Sequence, residues 1–161
     1  MIKLYLMCGP AGCGKSTWAK AHCKNKDKSI IISRDEIRFL LVKEDEEYFS
    51  KETEVFNSFI NKIQSAIALQ YEEIYVDATH LNEKSRNKVL DKIKYYIDLV
   101  HVKIIPVCFA IELNTCIKQN SKRKGRCQVP INVIANMFVS YEKPSFFEKY
   151  KYTEIIEVNG G

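Results

Sequence analysis

Residues Gly9-Pro10-Ala11-Gly12-Cys13-Gly14-Lys15-Ser16 fit the pattern G-x-x-x-x-G-K-[ST]. They follow an apolar run at 2–8 and precede a helical stretch that includes Trp18, Ala19 and Ala21. A glycine-rich turn between a strand and a helix fixes much of a fold, because it demands a βα unit with the helix N-terminus facing the turn. Glycines let the backbone wrap closely round phosphate oxygens, while main-chain N–H groups and the helix N-terminus supply positive potential. A plain glycine-rich turn matches these fixed residue types by chance only rarely in so short a chain. The pattern predicts a nucleotide-phosphate site formed by Gly9, Ala11, Gly12, Cys13, Gly14, Lys15, Ser16 and Thr17. In ATP chemistry Lys15 reaches the β and γ phosphates and Ser16 ligates Mg²⁺.

The rest of the chain alternates short apolar runs with segments of helical period, which predicts β-α-β units and a parallel sheet. Strands are expected at 2–8, 30–33, 73–76, 102–109 and 153–158. Pro106 weakens the fourth, because proline donates no ladder hydrogen bond. Phe56, Phe59, Ile60, Ile63 and Ile67 form one apolar stripe, and Val89, Leu90, Ile93 and Ile97 another. A third helix is expected from Pro130, with Ile131, Ile134, Phe138 and Tyr141 on one face, until Pro144 ends it.

With 161 residues, the chain suits one domain over 1–161, since a second core would be hard to fill. No run approaches the roughly 18 apolar residues of a membrane span, and the first residues lack a signal peptide's features. A cytoplasmic protein without membrane contact is therefore expected. The six cysteines are scattered without metal-ligand or disulfide spacing and read mostly as core filler. A net charge of +5 permits a polyanionic partner without requiring one.

In an open parallel sheet the ligand crevice lies beyond the carboxyl ends of the strands. The second strand leads there into Ser33-Arg34-Asp35-Glu36-Ile37-Arg38, with Asp35 and Arg38 three residues apart on one helical face. Asp35 is the candidate general base for a hydroxyl acceptor. The same stretch also fits an S-x-x-E capping box formed by Ser33 and Glu36. Asp77, at the end of the third strand, is a candidate magnesium ligand, or positions the loop through Thr79; a strand-end cap is the structural alternative. Ala78 follows Asp77, so the Asp-Glu pair of motor-type ATPases is missing, which favours transfer to a hydroxyl over hydrolysis. His22, His80 and His101 show no partner in the sequence. Lys118 to Arg126 is the densest basic segment and a candidate lid over the phosphates. A solvated charged loop is the other reading of such a run.

Taken together, Gly14-Lys15-Ser16-Thr17-Trp18-Ala19, Arg34-Asp35 with Arg38, Asp77-Ala78-Thr79-His80-Leu81-Asn82, Asn120-Ser121-Lys122-Arg123 and Val129-Pro130 form an ordered set. In order and spacing this set resembles the kinase domain of bacteriophage polynucleotide kinase and of related DNA and RNA end-healing enzymes. The resemblance implies an α/β fold of the P-loop NTPase, nucleoside-kinase-like kind: a parallel five-stranded sheet flanked by helices, with a helical basic lid at about 112–129. It implies ATP and Mg²⁺ as cofactors, Lys15 on phosphate, Ser16 on the metal, Asp35 as general base, Arg38 on the acceptor's 3′-side phosphate and Arg123 on the donor phosphates. Gln119 stands where relatives often carry another lid arginine, so Arg123, Arg126 or both serve the transition state. The phosphatase motif Asp-x-Asp-Gly-Thr of the phage enzyme is missing, and no phosphatase activity is expected.

The acceptor so implied is the 5′-hydroxyl end of a nucleic acid, with a ligase or phosphatase on another chain as possible companion. A small-molecule hydroxyl (nucleoside, sugar or antibiotic) fits the same loop and lid, and a non-catalytic nucleotide switch fits the loop alone.

Overall fold

The structure, a computed structural model, describes residues 1–159, with the side chain of Arg126 outside the described set. Along the chain run β1 (Lys3–Cys8), α1 (Lys15–His22), β2 (Ser29–Ser33), α2 (Arg34–Leu41), α3 (Glu52–Ala68), β3 (Glu73–Asp77), α4 (Glu83–Val100), β4 (Lys103–Ala110), α5 (Leu113–Ser121), α6 (Ile131–Ser140) and β5 (Ile156–Asn159). The strands form one parallel sheet in the order β2-β3-β1-β4-β5. The strand that feeds the glycine-rich loop is thus central, and its neighbours deliver their carboxyl ends to the same edge.

Side chains alternate across a strand, so the sheet carries two cores. Leu4, Leu6 and Cys8 pack with Phe59, Ile63 and Ile67 of α3 and Leu90 and Ile93 of α4. Met7, Val107 and Phe109 point the other way, onto Cys116 of α5 and Ile134 of α6. The predicted α3 stripe is buried throughout, and that of α4 is buried except Ile97, which lies at the margin.

The structure corrects the reading at three places. Pro106 sits inside β4 opposite Leu6, and β5 pairs only from Val107 onward. The proline therefore limits its neighbour rather than its own strand, and β5 starts at Ile156 instead of 153. In α6 only Ile134 is buried; Ile131 is 60% exposed, because the helix packs through one narrow face. Cys8, Cys13, Cys108 and Cys116 are core filler as expected, but Cys127 is exposed. Among the described residues no helix is long and apolar enough to cross a membrane.

Two buried polar side chains lock the far side of the sheet. Arg86, fully buried on α4, donates to both carboxylate oxygens of Glu148 at 3.0 and 2.8 Å and to the carbonyls of His80 at 2.9 Å and Glu142 at 3.0 Å. His80 lies 2.6 Å from the Met7 carbonyl through Nδ1, and its Nε2 has no partner among the described residues. A carbonyl only accepts, so Nδ1 carries the proton. Burial, opposed by the bond to Met7, lowers the His80 pKa to about 4 and keeps the ring neutral.

Arg86→Met strands the Glu148 carboxylate in the interior and should cost about 3–5 kcal/mol in urea unfolding, part of it recovered in an R86M/E148L double variant. His80 stays neutral in the folded chain but protonates near pH 6.5 when unfolded. Its contribution is therefore complete above pH 6.5 and is lost as pH falls toward about 4. His80→Asn, which tolerates the positive φ of 40° at this position, should reduce the steepness of the loss across that window in denaturant titrations.

Candidate active site

The loop after β1 closes on itself through Lys15. Its ammonium donates to the carbonyls of Gly9 at 2.9 Å and Pro10 at 2.8 Å. Gly14 caps α1 with a left-handed φ of 95°, and Gly12 has a φ of 81°. A Cβ at Gly12 would lie 2.6 Å from the Cys116 carbonyl, so loop and α5 approach closely only because no side chain intervenes. Opposite, Gly9 N–H donates to the Thr79 carbonyl at 2.8 Å, tying the loop to the turn after β3.

Ser16 and Asp77 meet directly. The serine hydroxyl donates to Asp77 Oδ2 at 2.6 Å. Burial raises the Asp77 pKa; the Ser16 bond and Lys15 act against this, Asp35 adds to it, and Arg123 opposes it. Loop lysine, helix aspartate and lid arginine thus all act on one carboxylate, although they come from three distant parts of the chain.

The facing wall is built by α2 and the turn after it. Ser33, paired with Asp77 across β2 and β3, is the N-cap of α2, and its hydroxyl accepts from Glu36 N–H at 3.3 Å. The capping role and the placement of Asp35 at the cleft therefore coexist. Arg38 donates to Asp35 Oδ1 at 2.6 Å and grips Glu52 with two bonds, at 2.6 and 2.9 Å. Burial pulls the Arg38 guanidinium down, yet the bonds to Glu52, the neighbouring Tyr48 oxygen and the charges of Glu52 and Asp35 leave it above its ordinary value. Tyr48 also donates to Asp35 Oδ1, at 3.1 Å. Asp35 Oδ2 has no partner among the described residues, and the side chain is 60% exposed.

The two walls enclose a cleft of about 580 Å³ lined by Ala11, Lys15, Ser16, Asp35, Arg38, Asp77, Thr79 and Arg123, among others. Gly9, Gly12, Cys13 and Gly14 shape the loop behind it, and Thr17 is exposed on α1. Of the basic segment Arg123 reaches the cleft, whereas Lys118, Lys122 and Lys124 are exposed. Among the described residues the positive run is thus mainly a solvated face, with Arg123 turned inward. The Arg126 side chain lies outside the described residues. A feature unread in the sequence is the hold on this segment: Asn120, buried, donates to the Val129 carbonyl at 2.6 Å and accepts from Val129 N–H at 2.8 Å.

Sequence reasoning also missed Glu52, Tyr48 and Arg86. Glu52 opens α3, where an acid reads simply as complementing the helix dipole. Arg86 did leave a signal: it precedes Val89 and Leu90 by three and four residues, on the apolar stripe itself.

A phosphate loop leaving the central strand of a parallel α/β sheet, with a carboxylate wall and an arginine-bearing segment around it, defines a fold of the P-loop kinase kind. Residues 4–144 match the AAA_33 family model, described as an AAA domain, and the chain belongs to this family. No curated protein matches the sequence. Among solved structures, a chain of the Pnkp1/Rnl/Hen1 RNA repair complex is similar at 19% identity and a TM-score of 0.71, over 86% of this chain and 43% of that one. A fungal RNA kinase is similar at 11% identity and a TM-score of 0.66, over 98% of this chain and 38% of that one. A sugar kinase from Janibacter sp. HTCC2649 is similar at 12% identity and a TM-score of 0.66, over 99% and 86%. At these identities the likeness is one of fold. The chain spans less than half the length of the two RNA-related chains.

Gly12→Ala should abolish nucleotide binding in a fluorescent-nucleotide titration, since the new methyl meets a backbone carbonyl at 2.6 Å and the φ of 81° disfavours any side chain.

Proposed function

We propose that this kinase transfers the γ-phosphoryl group of ATP to the 5′-hydroxyl end of DNA or RNA. One observation carries the reading: Asp35, whose Oδ2 has no partner among the described residues, faces the phosphate loop across a single cleft and has Arg38 beside it. In the proposed step the acceptor oxygen gives its proton to Asp35 Oδ2 and bonds to the γ-phosphorus. The bond from that phosphorus to the β-γ bridging oxygen breaks, and ADP leaves with the electron pair. Lys15 and Arg123 offset the charge that builds up on the transferring and leaving oxygens. Arg38 serves the phosphate on the acceptor's 3′ side, and Thr79 lines the path.

Ser16 and Asp77 suit Mg²⁺: both offer hard oxygen donors, they touch at 2.6 Å, and magnesium takes one or two protein oxygens while the nucleotide and water supply the rest. Among the described residues no larger His, Cys, Asp or Glu cluster competes for a metal. The ion, when bound, neutralises charge on the β and γ phosphates. A cytoplasmic setting and a separate ligase, which consumes a 5′-phosphate, or a phosphatase belong to the same reading.

A second reading, a small-molecule hydroxyl as acceptor, draws support from the sugar kinase, whose whole length is nearly matched. The two separate when γ-labelled ATP and Mg²⁺ are incubated with a 5′-hydroxyl oligonucleotide, a nucleoside, a sugar or no acceptor. Label is expected on the oligonucleotide; label on the sugar or nucleoside alone overturns the polymer. Asp35→Asn should lower kcat by roughly 10²–10⁴ with nucleotide affinity retained, and Arg123→Ala should depress kcat more than it weakens ATP binding. Unchanged turnover in Asp35→Asn would remove Asp35 as the base.

A further inference from the structure

Phe49 is 54% exposed, and its ring lines the cleft. A single exposed phenylalanine is ordinary. This one differs in being held from behind. The Tyr48 ring meets it edge-on, with centroids 4.7 Å apart and planes at 88°. The Arg38 guanidinium lies 4.8 Å from the Tyr48 centroid and 5.5 Å from that of Phe49. Phe39 abuts Tyr48 from a third side at 6.2 Å. Tyr48 is anchored at its polar end as well: it accepts from Arg38 at 3.3 Å and donates to Asp35 Oδ1 at 3.1 Å. A continuous set of contacts therefore runs from the Asp35 carboxylate, through the Tyr48 hydroxyl and ring, to the open face of Phe49.

We infer that Phe49, braced by Tyr48 and Arg38, is the stacking platform for the nucleobase of the acceptor's terminal nucleoside. The inference rests on the phosphotransfer reading above and narrows its acceptor to a base-bearing end. A nucleoside has the matching shape: a 5′-hydroxyl at one end and, a few bonds away, a flat π surface. Any base can stack on an aromatic ring, so such a platform selects for the presence of a base and tolerates its identity. The neighbouring guanidinium adds a cation to the same aromatic surface. A polyol offers hydroxyl groups that need hydrogen-bond partners, and the Phe49 ring provides none. Burial, strengthened by the Asp35 charge, raises the Tyr48 pKa, which keeps its hydroxyl a donor to Asp35 while the ring supports Phe49.

The test compares two 5′-hydroxyl oligonucleotides that differ only in the terminal residue, one carrying a base and the other an abasic tetrahydrofuran. Steady-state labelling is measured with the unmodified protein, Phe49→Ala and Phe49→Tyr. The unmodified protein should prefer the base-bearing end by roughly 5- to 100-fold in kcat/KM, chiefly through KM. Phe49→Ala should close that gap, and Phe49→Tyr should keep it. Nucleotide titration of each variant reports whether the phosphate loop is intact. If the oligonucleotides are labelled equally well by the unmodified protein, the platform is wrong while the polynucleotide acceptor stands. A gap that persists in Phe49→Ala also overturns the platform. If neither oligonucleotide is labelled but a sugar is, the acceptor assignment falls and the platform with it.

Discussion

The buried guanidinium of Arg86 joins the turn at His80 to the segments at Glu142 and Glu148, alongside the backbone bond from Glu142 N–H to the Leu81 carbonyl at 2.7 Å. It holds Glu148 with two bonds and takes the carbonyls of His80 and Glu142. His80 in turn contacts the Met7 carbonyl in β1, and the turn just before it, at Thr79, receives the Gly9 N–H. The turn after β3 thus supports the phosphate loop through both Gly9 and Met7. A charge fully removed from water costs several kcal/mol unless its partners are complete, and here each arm of the fork that makes a bond finds an oxygen. Such a hub specifies position more than it adds stability. The loop can then present its amides without support from the nucleotide side.

The cleft in front of this support separates two kinds of electrostatics. On the loop wall, one buried carboxylate, Asp77, holds the Ser16 hydroxyl and feels the opposing charges of Lys15 and Arg123 against the like charge of Asp35. On the α2 wall, cations are held by acids: Glu52 binds both Arg38 and, at 3.2 Å, Arg34. Glu52 sets the direction of Arg38, which in turn holds one oxygen of Asp35.

Much of this was readable because it is local. Eight adjacent residues encode the phosphate loop, alternation encodes five strands, and helical spacing encodes the stripes of α3 and α4. Asp35 and Asp77 could be placed because strand ends in a parallel sheet share one edge. Arg86 and Glu148, 62 residues apart, leave no common period, so their union had to be seen in space. Glu52 was masked by an ordinary preference of helix starts. Pro106 misled for a related reason: a missing donor matters only where a neighbouring strand is present to receive it, and strand order is not a local property. Charge density along the basic run does not say which side chain turns inward, so the place of Arg123 in the cleft lining had to be seen in space.

The side chain of Asn120 clasps the backbone of Val129 through both its amide oxygen and its nitrogen. Residues between these two positions form a closed cassette whose ends are fixed independently of what lies inside. Insertions or exchanges within it would leave the sheet and the loop after β1 undisturbed while changing which side chain reaches the cleft. Divergence among enzymes built on this frame has in that clasp a ready-made boundary, across which one face can be rewritten without refolding the other.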